Sequence, residues 1–116
     1  MLRKTRHGRT CERDVVVVIF PFSDLSSAKN RPALVVATPD GDDGILCQIT
    51  SRLVSDRYAI LLSETDFSSG SLRQESNVRP TRIFTAGKRI IQYTAGHLND
   101  EAMTAIINRV IEIIQQ

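Results

Sequence analysis

The chain has 116 residues, of which 41% are hydrophobic and 24% are charged, a composition typical of one globular domain with a single core. No apolar run approaches the roughly 20 residues of a membrane-spanning helix. The apolar residues 15–20 are too few, and lie too far along the chain, to form the core of a signal peptide. Cys11 and Cys47 are not spaced as a disulfide framework or a zinc site. These features predict a cytoplasmic protein without a membrane segment.

Charge is distributed unevenly along the chain. Residues 1–13 contain five basic residues and one acidic residue, whereas the rest of the chain contains ten basic and twelve acidic residues. The body therefore lacks the uniformly basic surface of a protein that coats duplex nucleic acid. We predict that residues 1–13 form a flexible basic arm and that residues 14–116 form one domain.

Short runs of β-branched and apolar residues, separated by turn residues, predict a mainly antiparallel β fold. Residues 39–44 (PDGDDG) have the composition of a turn, and residues 66–71 (DFSSGS) read as a loop. Pro80 predicts a strand that is bent or lies near an edge. The predicted strands are residues 14–20, 31–38, 45–51, 58–63, 76–85 and 89–96.

After the last predicted strand, the hydrophobic period changes from 2 to 3.6 residues, which predicts an amphipathic helix over residues 99–114. Asn99 is placed as its N-cap, and Leu98 and Met103 are spaced as a hydrophobic staple. Five or six short, twisted strands followed by one helix predict a small β-barrel of the α+β class.

Most familiar catalytic arrangements are missing from the sequence. His97 has no cysteine or second histidine at ligand spacing, so a structural or surface role is the simpler interpretation. The acidic residues Asp40, Asp42 and Asp43 lack the periodicity of a calcium loop, and no glycine-rich phosphate loop is present. The sequence therefore predicts neither a metal nor another cofactor.

One polar set at the ends of two predicted strands remains. Arg31 opens the second strand, and Thr50, Ser51 and Arg52 close the third. If these strands pair as a hairpin, Arg31 lies opposite Thr50 at the end remote from the turn. A guanidinium and a hydroxyl group at the floor of a cleft suit a phosphate. Because both residue types are also common in strands and at their ends, the pattern alone leaves a structural role open.

The stretch DVVVVIFPFSDLSSAKNRPALVVAT, residues 14–38, resembles the opening of the PemK/MazF family of toxin–antitoxin ribonucleases. Members typically have a D-V-V strand, a P-F-P-F-S/T-D-L-S loop and an R-P-A-L-V strand. The resemblance continues through CQITSR, GSLRQESNVRPTRIFTAGKRII and AGHLNDEAMTAIINRVIEII, so it covers about residues 12–115.

This resemblance implies a twisted SH3-like β-barrel that forms a homodimer and cleaves single-stranded RNA, usually mRNA, without a metal. In the family, a ribose 2′-OH attacks the adjacent phosphate and leaves a cyclic phosphate and a 5′-OH. The family's catalytic arginine and threonine match Arg31 and Thr50. Because the attack uses the 2′-OH, DNA is an expected non-substrate.

The resemblance also implies two kinds of partner. Single-stranded RNA exposes base edges and faces to loop side chains. An exposed Arg31 is a natural receptor for the acidic, disordered tail of a cognate antitoxin. The candidate RNA-binding residues are Phe22, Lys29, Asn30, Ser51, Arg52, Arg79 and Thr81.

The chain departs from the family pattern at two informative positions. Some members carry an acidic residue where this chain has Thr81, so the catalytic base stays open, with Asp24 or the RNA itself as candidates. Arg13 replaces the glycine that usually precedes the D-V-V strand. Two alternatives therefore remain: a non-catalytic module on the same barrel, such as the gyrase-poisoning CcdB-type toxins, and a domesticated toxin kept as a partner in an antitoxin complex.

Overall fold

The computed structural model describes residues 11–20, 29–39, 43–52 and 55–116. Most of the predicted basic arm, together with Phe22, Asp24, Asp40 and Asp42, lies outside the described residues. Short 3-10 turns at Glu64–Asp66 and Lys88–Ile90 follow the fourth and sixth strands. The described elements are β1 (Asp14–Phe20), β2 (Lys29–Ala37), β3 (Asp43–Thr50), β4 (Ile60–Leu62), β5 (Phe67–Gly70), β6 (Ser76–Gly87), β7 (Ile91–Leu98) and α1 (Asp100–Ile114).

The strands form one antiparallel sheet in the order β4-β6-β3-β2-β1-β7-β5. Its two edge strands, β4 and β5, are joined by residues 63–66 alone, which extend to at most about 18 Å. A flat sheet of this many strands would hold its edges about 29 Å apart, at about 4.8 Å per strand. The sheet is therefore curled into a half-barrel, as the SH3-like prediction requires.

The two faces of the curled sheet bury separate cores, because successive side chains of a strand point to opposite faces. On one face, Val15 and Leu34 pack with Met103 and Ile106 of α1. On the other face, Val16, Ala33 and Leu46 form a second core without helix residues. Because both faces of β1 and β2 contribute to a core, these two strands carry apolar side chains on both faces.

Arg13 holds a backbone conformation that is usual for glycine, with φ of 78°, at the position where the family pattern has glycine. Its N–H donates to the carbonyl of Val35 and its carbonyl accepts from the N–H of Leu98, both at 2.9 Å. Its side chain pairs with Asp100 of α1. Backbone bonds to β2 and β7 and a side-chain contact with α1 thus compensate for the strained φ at the start of β1.

A closed polar cluster, defined here as Cys11, Asp14 and His97, lies at the same end of β1. The carboxylate of Asp14 is fully buried; it accepts the N–H of Cys11 at 2.9 Å and lies 2.9 Å from Nδ1 of His97. Burying a carboxylate is costly unless its oxygens are bonded, and here both of them are. Residues 11–13 are therefore attached to the body of the domain rather than separate from it.

The predicted helix is confirmed, with the side chain of Asn99 accepting the N–H of Ala102 at 2.8 Å as its N-cap. The bend at Pro80 is also confirmed, because the register of β6 against β3 shifts between Arg79 and Ile83. The loop prediction for residues 66–71 is wrong: Phe67–Gly70 form β5, which pairs with β7. Serine and glycine have low strand propensity, so this edge strand depends on pairing that composition does not reveal. No described helix has the length and hydropathy needed to span a membrane.

Candidate functional site

A cleft of about 580 Å³ opens at the end of the half-barrel where β2 begins and β3 ends. Its floor is apolar, formed by Val17, Pro32 and Ile49. Four segments surround this floor: the start of β2 with Asn30 and Arg31, residues 50–52 where β3 ends, the loop 71–74 that follows β5, and residues 93–95 of β7. Five of the nine residues predicted for the site line this one cleft: Asn30, Arg31, Thr50, Ser51 and Arg52.

The hairpin register explains how Arg31 and Thr50 come together. Strands β2 and β3 pair antiparallel with Ala33 opposite Gln48. Continuing this register for two residues brings Arg31 opposite Thr50, at the end of the hairpin remote from its turn. The Nε atom of Arg31 is buried. The hydroxyl of Thr50 accepts the N–H of Arg52 at 3.1 Å, so its own proton can be donated elsewhere.

Gly70 directs the loop 71–74 over the cleft. Its φ is 67°, and a Cβ atom at this position would lie 2.2 Å from the carbonyl oxygen of Ala95. Only glycine allows β5 to approach β7 so closely and then turn. The N–H of Ser71 donates to the same Ala95 carbonyl at 3.3 Å, which holds the start of the loop against β7.

The described walls of the cleft are strongly basic. Three arginines line it, Arg31, Arg52 and Arg73, and the described lining residues include no aspartate or glutamate. This contrasts with residues 14–116 as a whole, in which acidic residues outnumber basic ones. A concave surface lined by charges of one sign focuses the electrostatic potential and attracts ligands of the opposite sign.

Sequence reasoning missed part of the cleft. Arg73, Gln74 and Tyr93 line it, although none was a candidate from the sequence. Arg73 and Gln74 follow the strand β5 that was predicted as loop, and Tyr93 lies on β7, directly opposite Val17 of β1. The only sequence signal at Tyr93 is that it is one of few aromatic residues in the chain; its 59% exposure is visible in the structure alone.

Two other candidates, Arg79 and Thr81, lie outside the described lining of the cleft. Both contact the carboxylate of Asp56, Arg79 through Nε at 3.2 Å and Thr81 through its hydroxyl at 3.4 Å. The carboxylate also accepts the N–H of Tyr58 at 2.9 Å. That backbone bond, opposed by burial and assisted by Arg79, lowers the pKa of Asp56. A carboxylate thus lies beside the hydroxyl of Thr81, the position at which some family members have an acidic residue.

The remaining candidates are Lys29 and Phe22. Lys29 is exposed at the start of β2, next to the cleft but not among its lining residues, and Phe22 is not a described residue. Among the described residues, no group of three histidine, cysteine or carboxylate side chains is placed to hold a metal ion. Burial raises the pKa of the Cys47 thiol to about 11, so this cysteine is protonated at neutral pH.

Comparisons with known proteins agree with this architecture. A family model for PemK-like, MazF-like toxins of type II toxin–antitoxin systems matches residues 12–114. The toxin MazF-mt6 of Mycobacterium tuberculosis superposes with a TM-score of 0.69 at 16% identity, covering 89% of this chain and 97% of its own. MazF of Deinococcus radiodurans superposes with a TM-score of 0.72 at 14% identity, covering 93% and 98%.

A third solved structure is described as an endoribonuclease in complex with its cognate antitoxin, from a mycobacterial species. It superposes with a TM-score of 0.70 at 15% identity and covers 91% of this chain and 95% of its own. At sequence identities this low, the structural similarity to these proteins establishes the fold of the chain. A comparison with curated protein sequences gives no significant match.

Proposed function

The chain belongs to the PemK-like, MazF-like toxins of type II toxin–antitoxin systems, and from this premise we propose that it is an endoribonuclease that cleaves single-stranded RNA. The observation that carries the proposal is the cleft with Arg31, Arg52 and Arg73 and no described carboxylate. Such a surface attracts a polyanion, and its apolar floor suits unpaired bases better than a duplex backbone.

The reaction we propose is attack of a ribose 2′-oxygen on the adjacent phosphorus. The new O2′–P bond forms a cyclic phosphate, the P–O5′ bond breaks, and the proton lost from the 2′-OH is balanced by one gained at the 5′-oxygen. Negative charge builds up on the non-bridging oxygens. Arg31 supplies a fixed fork of N–H donors to these oxygens, and a donor of this kind contributes about 3–4 kcal/mol to the transition state.

Thr50 has a positioning and hydrogen-bonding role in this reaction. Because its oxygen accepts the N–H of Arg52, the direction of its O–H group is restricted. It can then donate to a phosphate oxygen and hold the 2′-oxygen in line with the leaving oxygen. Since Arg31 provides charge stabilisation, the proposed mechanism does not require a metal ion. Asp24 and the RNA itself remain the candidate bases.

The proposal also covers the residues that recognise RNA bases and the partners that bind the cleft. Asn30, Ser51 and Arg52 at the cleft are the leading described candidates for contacts to RNA, with Lys29 beside them. A structurally similar endoribonuclease has been solved in complex with its cognate antitoxin. In this chain, the basic cleft would receive the acidic tail of such an antitoxin. We also propose that the chain acts as a homodimer, by analogy with the family.

The proposal is tested with purified protein, EDTA and a pool of RNA oligonucleotides. We expect cleavage at a preferred sequence, with cyclic phosphate and 5′-OH ends. A matched oligonucleotide with one 2′-deoxy sugar at the cleaved position should remain intact, because the attacking oxygen is missing. Cleavage of that oligonucleotide at the same bond would contradict the mechanism. Intact RNA together with inhibited DNA gyrase would favour the non-catalytic alternative.

A further inference from the structure

Tyr93 is exposed in a way that the stability of the fold does not require. Its side chain is 59% accessible, on β7, and it lines the same cleft as Arg31 and Thr50. Buried aromatic side chains contribute to a core through their large apolar area, which Tyr93 leaves mostly in water. Among the described residues that line this cleft, Tyr93 is the only aromatic one.

The register of the sheet places Tyr93 at a defined distance from the proposed catalytic pair. Tyr93 lies opposite Val17 of β1, and Val17 lies opposite Pro32 of β2, the neighbour of Arg31. The backbones of Tyr93 and Pro32 are two strand spacings apart, a distance of about 10 Å. Arg31 directly precedes Pro32 in β2, and its side chain lines the same cleft as that of Tyr93. A nucleotide bound in the cleft can therefore contact both side chains.

We propose that Tyr93 is a stacking platform for an unpaired nucleobase next to the scissile phosphate, an inference that rests on the proposed ribonuclease function. Proteins that bind single strands combine a basic groove, which follows the backbone, with aromatic rings on which bases stack. Arg31, Arg52 and Arg73 form the basic part of this cleft, and Tyr93 supplies the ring. Val17 and Pro32, the register neighbours of Tyr93 across β1 and β2, add apolar lining to the same cleft.

The first step of the test establishes that RNA is a substrate. The wild-type protein is incubated with an RNA pool, and the cleaved sequence is determined. Absence of cleavage would remove the proposed function itself, whatever the role of Tyr93. The cleaved sequence is then synthesised with a 2′-deoxy sugar at the scissile position, so that it binds without reacting, and with fluorescent 2-aminopurine at each flanking base in turn.

The second step measures binding and stacking with this oligonucleotide. Wild type and Tyr93→Phe should quench 2-aminopurine at one position, because both keep the ring. Tyr93→Ala and Tyr93→Leu should lose this quenching and bind about 5- to 100-fold more weakly. The value of kcat at saturating RNA should stay within threefold of wild type, because the ring binds a base and does not stabilise the reacting phosphate. Tyr93→Leu keeps apolar bulk at the site if Tyr93→Ala folds poorly.

Leu61 provides the matched control. It is 54% exposed on the edge strand β4 and does not line the cleft, so Leu61→Ala removes a comparable exposed apolar side chain elsewhere. Affinity and quenching should remain at wild-type values. The inference is overturned if Tyr93→Ala binds as tightly as wild type. It is also overturned if sedimentation shows that this variant is weaker only because its oligomeric state has changed.

Discussion

The polar side chains at the beginning of β1 are largely buried, whereas those near its other end are largely exposed. At the beginning of β1, the closed polar cluster of Cys11, Asp14 and His97 directs its hydrogen bonds inward, and Asp14 has no exposed surface. Near the other end, the cleft presents Arg52 and Tyr93 to solvent. The two groups of polar side chains therefore have different roles. A buried carboxylate whose oxygens are hydrogen-bonded stabilises the fold, whereas exposed hydrogen-bond donors around a cleft remain available to a ligand.

The largest expected effect on stability comes from Asp14→Ala. The substitution leaves the N–H of Cys11 and the ring of His97 without their shared acceptor in a buried place. We expect a loss of about 3 kcal/mol in the free energy of unfolding. The melting temperature should fall by about 10 °C. Cleavage of RNA per folded molecule should be unchanged at a temperature where the variant is folded.

Asp100→Ala is the control for this prediction. Asp100 is also paired with a basic group, Arg13, but its side chain is 83% exposed, so its removal should cost less than about 1 kcal/mol. Calorimetry of both variants measures the comparison. A melting temperature of Asp14→Ala equal to that of Asp100→Ala would contradict the structural role given to the closed cluster.

An intermediate effect is expected for Asp56→Ala, which removes the acceptor shared by Arg79, Thr81 and the N–H of Tyr58. The expected cost is about 2 kcal/mol at pH 7, since all three contacts are made to a charged carboxylate and one of them also involves a guanidinium group. The pKa of Asp56 is lowered in the folded state, so its contribution is complete above the ordinary pKa of aspartate. That contribution should disappear as the pH falls through the lower, folded-state pKa.

This pH dependence is measured as the difference in melting temperature between wild type and Asp56→Ala from pH 7 down to pH 3. The difference should shrink at the acid end. The exposed Glu75→Gln serves as a control and should show little difference at any pH. A loss of RNA cleavage by Asp56→Ala with unchanged stability would instead place Asp56 and Arg79 in the functional site.

The smallest effect is expected at the N-cap of α1. Asn99 accepts the N–H of Ala102 at 2.8 Å and donates to the carbonyl of Thr65 at 2.9 Å. Asn99→Ala should cost about 1 kcal/mol in urea unfolding. Asn108→Ala, an exposed position within the same helix, should cost nothing measurable. Equal midpoints for the two variants would show that the cap does not stabilise the helix.

The sequence predicted the helix and the apolar strands well because their patterns are local. Asn99 and the 3.6-residue period define α1, and the β-branched run defines β1 residue for residue. It also placed Arg31 opposite Thr50, because that pairing follows from counting residues along one hairpin. The strand β5 was missed, since its short, serine-rich segment is held by β7, which lies more than 20 residues further along the chain.

The contribution of Tyr93 and Arg73 to the cleft was missed for a related reason. Both reach it only because the sheet curls and brings β7 and the loop 71–74 beside the β2–β3 hairpin. The contact of Asp56 with Arg79 and Thr81 also depends on tertiary structure, since 23 and 25 residues separate these side chains in sequence. The local sequence pattern thus predicts helices, strands and the partners within a hairpin. It does not predict contacts that depend on the curvature of the sheet.

The most direct test of the central claim is single-turnover RNA cleavage by wild type, Arg31→Lys and Arg31→Ala in EDTA, with urea unfolding of each protein measured in parallel. If the Arg31 guanidinium stabilises the reacting phosphate, Arg31→Ala should cleave at least about 100-fold more slowly. The cleavage rate of Arg31→Lys should lie between those of wild type and Arg31→Ala, because lysine keeps the positive charge but not the planar set of N–H donors. All three proteins should unfold at similar urea concentrations. Equal cleavage rates for wild type and Arg31→Ala would contradict the account.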